Sequence, residues 1–250
     1  MRPLRVALFP TCLVDSVATD VGVATVRLLR RLGHEVSVPE RTTCCGQPGW
    51  NAGHARPAAD VARTTLRALD ACDADVVVVP AGSCATMMLV FWRELFEVAG
   101  SASDLAMVAR VTPRTKELSQ FLAEHGTPAT VRADPTATVY HRSCHMLREL
   151  RVTDEPERLL DATGADRRVA DGSGRCCGFG GLFSVKLPEV SVAMADDVLD
   201  GMAATGATRV VGCDASCLMH LEGRSRRRGM GLEFRHLAAV LDDATGPERG

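Results

Sequence analysis

Eight of the ten cysteines in this 250-residue chain fall into two matching sets. The first is Cys12, the adjacent pair Cys44 and Cys45, and Cys84. The second is Cys144, the adjacent pair Cys176 and Cys177, and Cys217. In both sets 31 residues precede the pair; 38 follow it in the first set and 39 in the second. Neighbouring Cα atoms lie about 3.8 Å apart, below the roughly 4.4 Å at which unstrained disulfides begin. Each vicinal pair therefore reads as two thiolates reaching different metals of one multinuclear cluster. Thiolates are soft ligands suited to iron–sulfur clusters and zinc. Structural zinc sites pair two Cys-x₂₋₄-Cys knuckles. The first set has no knuckle, and the second has only Cys213 and Cys217. The spacing favours iron–sulfur and departs from the common ferredoxin signatures. A zinc-stapled scaffold without redox function is the alternative from a different class.

The elements that must position these thiols repeat as well. Corresponding cysteines are offset by 132 or 133 residues, so the chain divides into two homologous halves. In the first, Val6 to Phe9 reads as a strand running into Cys12, and residues 16–32 as a helix stopped by Gly33. Glu35 to Val38 reads as a strand, 57–71 as a helix, and Val76 to Val79 as a buried parallel strand ending near Cys84. The second half repeats the plan with a strand over 138–141, helices over 156–163 and 187–204, and a strand over 208–212. Alternating strands and helices predict an α/β fold: two small Rossmann-like parallel sheets with flanking helices, related by a pseudo-two-fold. The cysteines then sit at the carboxyl edges of the sheets, where open α/β folds hold ligands. The domains are expected at 1–125 and 136–241, with a linker over 126–135 and a frayed tail over 242–250. Gly46 and Gly178 follow the cysteine pairs, where they let backbone N–H groups approach cluster sulfurs.

Composition narrows the function classes. With 29 basic and 31 acidic residues the chain lacks the basic excess of a nucleic-acid-binding protein. No stretch approaches the roughly 20 apolar residues of a membrane span. The short apolar segment after Met1 does not resemble a signal peptide, so a cytoplasmic protein with reduced thiols is expected.

The strings Thr43-Cys44-Cys45-Gly46-Gln47-Pro48, Gly82-Ser83-Cys84, Cys176-Cys177-Gly178-Phe179-Gly180-Gly181 and Asp214-Ala215-Ser216-Cys217-Leu218-Met219-His220 resemble the CCG cysteine-rich domain family. That family includes the cysteine-rich subunit of heterodisulfide reductase, the iron–sulfur subunit of glycolate oxidase, and lactate utilisation protein A. The resemblance covers Cys12 to Cys217 and is strongest to the short lactate-utilisation branch. It implies an iron–sulfur component of an oxidoreductase complex that oxidises L-lactate, a 2-hydroxy acid, to pyruvate with partner subunits. It further implies up to two clusters of the 4Fe–4S type. Cys12, Cys44, Cys45 and Cys84 would hold one; Cys144, Cys176, Cys177 and Cys217 the other. The family's closing Cys-x-x-Cys has lost its first cysteine, with Ala81 and Asp214 in its place. Cys213, one position earlier, is a further candidate ligand. Were it one, a heterodisulfide reductase-like thiol–disulfide enzyme with a noncubane cluster would be the second reading. No hydride acceptor or catalytic residue stands out, so the chain is expected to relay electrons.

Other residues take ordinary readings. Cys72, outside the repeat, reads as a small core residue. His54, His145 and His220 lie near cysteines and read as polar neighbours. The apolar run from Met87 to Phe96 reads as core. Arg224, Arg226, Arg227 and Arg228 read as a solvated loop cluster able to steer an acidic redox partner.

Overall fold

A computed structural model describes residues 2–128 and 132–246. The first half forms a parallel sheet of β1 (Arg5–Leu8), β2 (Glu35–Ser37), β3 (Val76–Val79) and β4 (Thr115–Glu117), in the order β2-β1-β3-β4. The second forms an equivalent sheet of β5 (Ala137–His141), β6 (Asp166–Arg168), β7 (Arg209–Gly212) and β8 (Glu233–His236), in the order β6-β5-β7-β8. Val6 pairs with Val76, and Val139 with Val210. The unbroken valines of β3 are buried on both faces, as a central parallel strand requires. The edge strands β2 and β6 are three residues long and polar, which discourages further pairing.

The two long helices of the first half each bury one stripe. Helix Thr19–Arg31 turns Val21, Ala24, Leu28 and Leu29 inward, and helix Ala55–Ala71 turns Ala59, Ala62, Leu66 and Leu69 inward. Between them these helices and their counterparts Glu155–Asp161 and Pro188–Ala204 cover the sheets. The expected helix over 16–32 is in fact a short helix, Cys12–Ser16, followed by the longer one. Strands β4 and β8 are additions to what the sequence predicts: three or four residues of mixed polarity carry no alternation. The four arginines do not lie in a loop. They close helix Ala215–Arg227, where Arg224 and Arg228 pair with Asp196, Arg228 also with Asp200, and Arg226 with Glu222. Acidic neighbours thus answer most of that charge.

The halves share a core. One apolar cluster mixes Val6, Leu28 and Leu122 with Tyr140, Val211 and Leu237, while two others lie on either side of it, one in each half. The last helix, Leu237–Thr245, packs on Thr19–Arg31, where Arg31 and Arg27 pair with Asp242 and Arg31 donates to Thr245 Oγ1 at 2.8 Å. This helix occupies the first positions of the expected tail; residues 247–250 lie outside the described residues. So do 129–131 of the expected linker, whose next residue, Arg132, donates its N–H to Ala244 O at 2.7 Å.

Strands β4 and β8 end on two buried titratable residues at equivalent positions. Glu117 stands opposite Val79, and His236 opposite Gly212. Glu117 Oε2 accepts from the N–H groups of Ser119 (2.7 Å) and Gln120 (3.3 Å); His236 Nδ1 accepts from the N–H of Ala238 (3.1 Å). Each caps the helix that follows. Among the described residues Glu117 Oε1 has no partner. Burial pushes the Glu117 carboxyl up to about 7, and the charge of Asp214 adds to this. Burial pushes His236 down to about 4.

The signs are opposite. The folded chain holds the Glu117 proton more tightly than the unfolded chain, so this group's stabilisation is present below pH 4.5 and is lost as pH rises to about 7. His236 is held neutral, so its contribution is lost as pH falls from 6.5 to about 4. Glu117→Gln removes only the first dependence. Its unfolding free energy relative to wild type should rise by about 3 kcal/mol between pH 4.5 and 8. Denaturant titrations at several pH values measure this; a constant difference would refute it.

Candidate metal centres

Local backbone chemistry brings each quartet together. β1 ends in a turn where Thr11 Oγ1 accepts from the N–H of Val14 and starts helix Cys12–Ser16. The pair Cys44 and Cys45 is pinned through its carbonyls: Thr65 Oγ1 donates to Cys44 O at 3.1 Å, and Trp92 Nε1 to Cys45 O at 2.9 Å. Cys84 rides on helix Gly82–Thr86, directly after β3. In the second half Cys144 follows β5, and Cys217 lies in the first turn of helix Ala215–Arg227. Gly46 and Gly178 both take positive φ, 90° and 87°, turning their N–H groups back onto Cys44 Sγ (3.4 Å) and Cys176 Sγ (3.5 Å).

The sulfurs converge. Cys45 Sγ lies 3.3 Å from Cys84 Sγ, and Cys177 Sγ 3.0 Å from Cys217 Sγ. Cys44 takes hydrogen bonds from Cys12, Cys45 and the Gly46 N–H, which hold its thiolate down at about 3. Cys176 is held at about 2 by Cys144 and Cys177 in the same way. The thiols that donate, Cys12, Cys45, Cys144 and Cys177, are pushed up. Four crowded sulfurs cannot all ionise unless a cation offsets their repulsion. Soft thiolates in such a set, with backbone N–H groups aimed at them, suit a metal or iron–sulfur group. All ten cysteines are free thiols.

The two quartets do not occupy separate pockets. Both line a single cavity of about 110 Å³, whose other lining residues include Leu13, Gln47, Pro48, His145 and Phe179. The halves meet there. The N–H of Gly82 donates to Cys213 O at 3.1 Å, and that of Ser83 to Asp214 Oδ2 at 2.7 Å. Asp214 Oδ1 accepts from the N–H of Ser216 at 3.1 Å and from its hydroxyl. Where the family pattern has a cysteine, this chain therefore has a buried carboxylate bridging the halves.

The remaining candidates separate. Cys213 is not among the residues lining the cavity; its Sγ accepts from Tyr140 Oη at 3.4 Å, and burial and the charge of Glu117 push its thiol up. Cys72 is half-buried and donates to Leu69 O at 3.0 Å. His145 lines the cavity, with Nε2 3.4 Å from Gln47 Nε2 and Nδ1 3.3 Å from Glu149 Oε2. His220 Nε2 is 3.2 Å from Ser191 Oγ, and His54 is exposed. Of the run from Met87 to Phe96, Met87, Met88, Trp92, Leu95 and Phe96 are buried as core, whereas Val90 is exposed and Phe91 only partly buried. His141 went unnoticed in the sequence. A ring nitrogen of this buried residue and the sulfurs of Cys177 and Cys217 all lie within 4.8 Å of one another. Its signal was its place at the end of β5, three residues before Cys144.

A family model described as a cysteine-rich domain, CCG, matches the chain twice, over residues 6–89 and 138–222. The chain belongs to the CCG cysteine-rich domain family. Each CCG match contains one quartet. Among curated relatives, lactate utilization protein A 1 of Bacillus cereus (strain AH820) is 39% identical over 242 residues, covering 96% of this chain and 99% of that protein. Lactate utilization protein A of Geobacillus kaustophilus (strain HTA426) is 40% identical over 241 residues, with the same coverage of each. A crystal structure of a hypothetical protein from Helicobacter pylori covers all of this CCG chain with a TM-score of 0.59 at 10% identity, which speaks to the fold alone; this chain spans 50% of its length. Among the described residues no helix is long and apolar enough to cross a membrane.

Proposed function

We propose that this chain is an iron–sulfur electron carrier for the oxidation of L-lactate to pyruvate, working in the cytoplasm with partner oxidoreductase subunits. Cys12, Cys44, Cys45 and Cys84 hold one 4Fe–4S cluster; Cys144, Cys176, Cys177 and Cys217 hold a second. When bound, such clusters supply one-electron storage over a wide range of potentials. The observation that carries the reading is the convergence of both quartets on one cavity from equivalent edges of the two sheets. The end-to-end relatives named lactate utilization protein A suggest the pathway.

The chain's own residues prepare this role. The thiolates bind, and the Gly46 and Gly178 N–H groups offset charge on the sulfurs beside them. Leu13, Pro48 and Phe179 give the shared cavity apolar lining beside the thiols. Lactate oxidation releases two electrons and two protons. The two sites can pass electrons singly, while the hydride or proton chemistry at the substrate carbon falls to a partner subunit. Cys213, engaged with Tyr140, gives the five-thiolate noncubane reading no support.

Anaerobically reconstituted protein should contain iron and acid-labile sulfide in comparable amounts, with a visible charge-transfer band. Extracts of cells lacking the chain should lose lactate-dependent dye reduction and regain it when the reconstituted protein is added. Stoichiometric zinc without sulfide, or unimpaired lactate oxidation in those extracts, would overturn the proposal.

A further inference from the structure

The repeat makes every difference between the two sites meaningful, because the same fold surrounds both. Directly after β1 stands Phe9, three residues before Cys12; at the end of β5 stands His141, three residues before Cys144. Phe9 is wholly buried and can donate nothing. His141 is only 1% exposed, and among the described residues neither ring nitrogen has a hydrogen-bond partner other than the Cys217 sulfur. A buried imidazole without a partner is costly, and such groups are normally satisfied by protein, water or a bound group. A ring nitrogen and the sulfurs of Cys177 and Cys217 lie within 4.8 Å of one another.

We propose that His141 donates a hydrogen bond to the thiolate of Cys217 and thereby makes the second centre the higher-potential one, giving the relay a direction. This rests on the cluster reading above. Reduction adds negative charge to a cluster and its sulfurs, and an N–H donor stabilises that charge; hydrogen bonds to sulfur are among the main determinants of cluster potential. His141 favours the thiolate forms of both Cys217 and Cys176, and its counterpart Phe9 carries no group that could do the same for the first quartet. A second difference has the same sign: Arg148 favours the thiolate of Cys144, and its counterpart in the first half is Ser16. Asp214 works against this, since its charge disfavours the Cys217 thiolate; its oxygens also accept from Ser83, beside Cys84, and from Ser216, beside Cys217, so the effect of His141 has to be isolated by substitution. With clusters bound at both quartets, one electron supplied by a reduced oxidoreductase partner would favour the second site over the first.

The test is a dithionite redox titration followed by EPR on reconstituted protein, with signals assigned through single-quartet variants. Wild type should show two separate midpoints. His141→Phe, which copies Phe9, should retain iron at both sites and lower only the second midpoint. The electron's preference for the second centre should fall about tenfold, equivalent to about 59 mV for a one-electron couple. His141→Gln, which retains an N–H donor, should restore most of the gap. An unchanged gap in the Phe variant with full iron would overturn the inference. So would loss of half the iron in both variants, which would make His141 a ligand. Wild-type protein that takes up no iron and sulfide would instead overturn the underlying cluster reading, before any potential is measured.

Discussion

Cys177→Ser should leave the reconstituted protein with about half of its iron and acid-labile sulfide, Cys45→Ser should leave the other half, and the double variant should have none. These residues are the hubs of their quartets. Each is almost wholly buried, each lies within 3.3 Å of the sulfur on the following helix, and each hydrogen-bonds to its neighbour in the pair. Serine preserves the shape but replaces a soft thiolate with a hard hydroxyl that stays protonated at neutral pH. Sheet, helix and cap contacts are untouched, so circular dichroism of the metal-free variants should match wild type. The shared cavity makes the result decisive. If either substitution removed all the iron, the eight sulfurs would form one centre. If neither removed any, the quartets would not be ligand sets.

Gly178→Ala should destabilise the protein by about 2–5 kcal/mol and empty the second site, while Gly53→Ala should cost only about 1–2 kcal/mol. Both glycines have positive φ, 87° and 79°. The backbone penalty for an alanine is therefore similar at each. Their surroundings differ. A Cβ on Gly178 would lie 2.5 Å from Ser191 O and 3.1 Å from Met194 Cβ, whereas at Gly53 nothing lies within 4 Å. Ser191 O belongs to the long helix Pro188–Ala204 and cannot retreat without moving that helix. The loop must move instead, carrying Cys176 and Cys177 away from Cys217. Denaturant unfolding of both metal-free variants, with iron content after reconstitution, measures the contrast; equal costs would refute the steric argument.

Some features were readable because they are local. The helix stripes of Thr19–Arg31 and Ala55–Ala71 repeat with the helical period, and Val76 to Val79 announces a central strand. Other features have no local pattern. β4 and β8 are short and end in a glutamate and a histidine whose burial no periodicity suggests. The arginines of helix Ala215–Arg227 looked like a loose charge cluster because their partners, Asp196 and Asp200, lie on a different helix.

From its sequence alone this chain declares a duplicated α/β unit, two thiol quartets and a glycine behind each cysteine pair. Those are matters of residue type and spacing, which covalent order preserves. Tertiary structure alone decided that both quartets open on one cavity, that Cys213 turns to Tyr140, and that His141 reaches the second quartet while Phe9 occupies the equivalent place in the first. The physical reason is that these relations are set where the halves pack together around a shared core, by contacts between residues far apart along the chain.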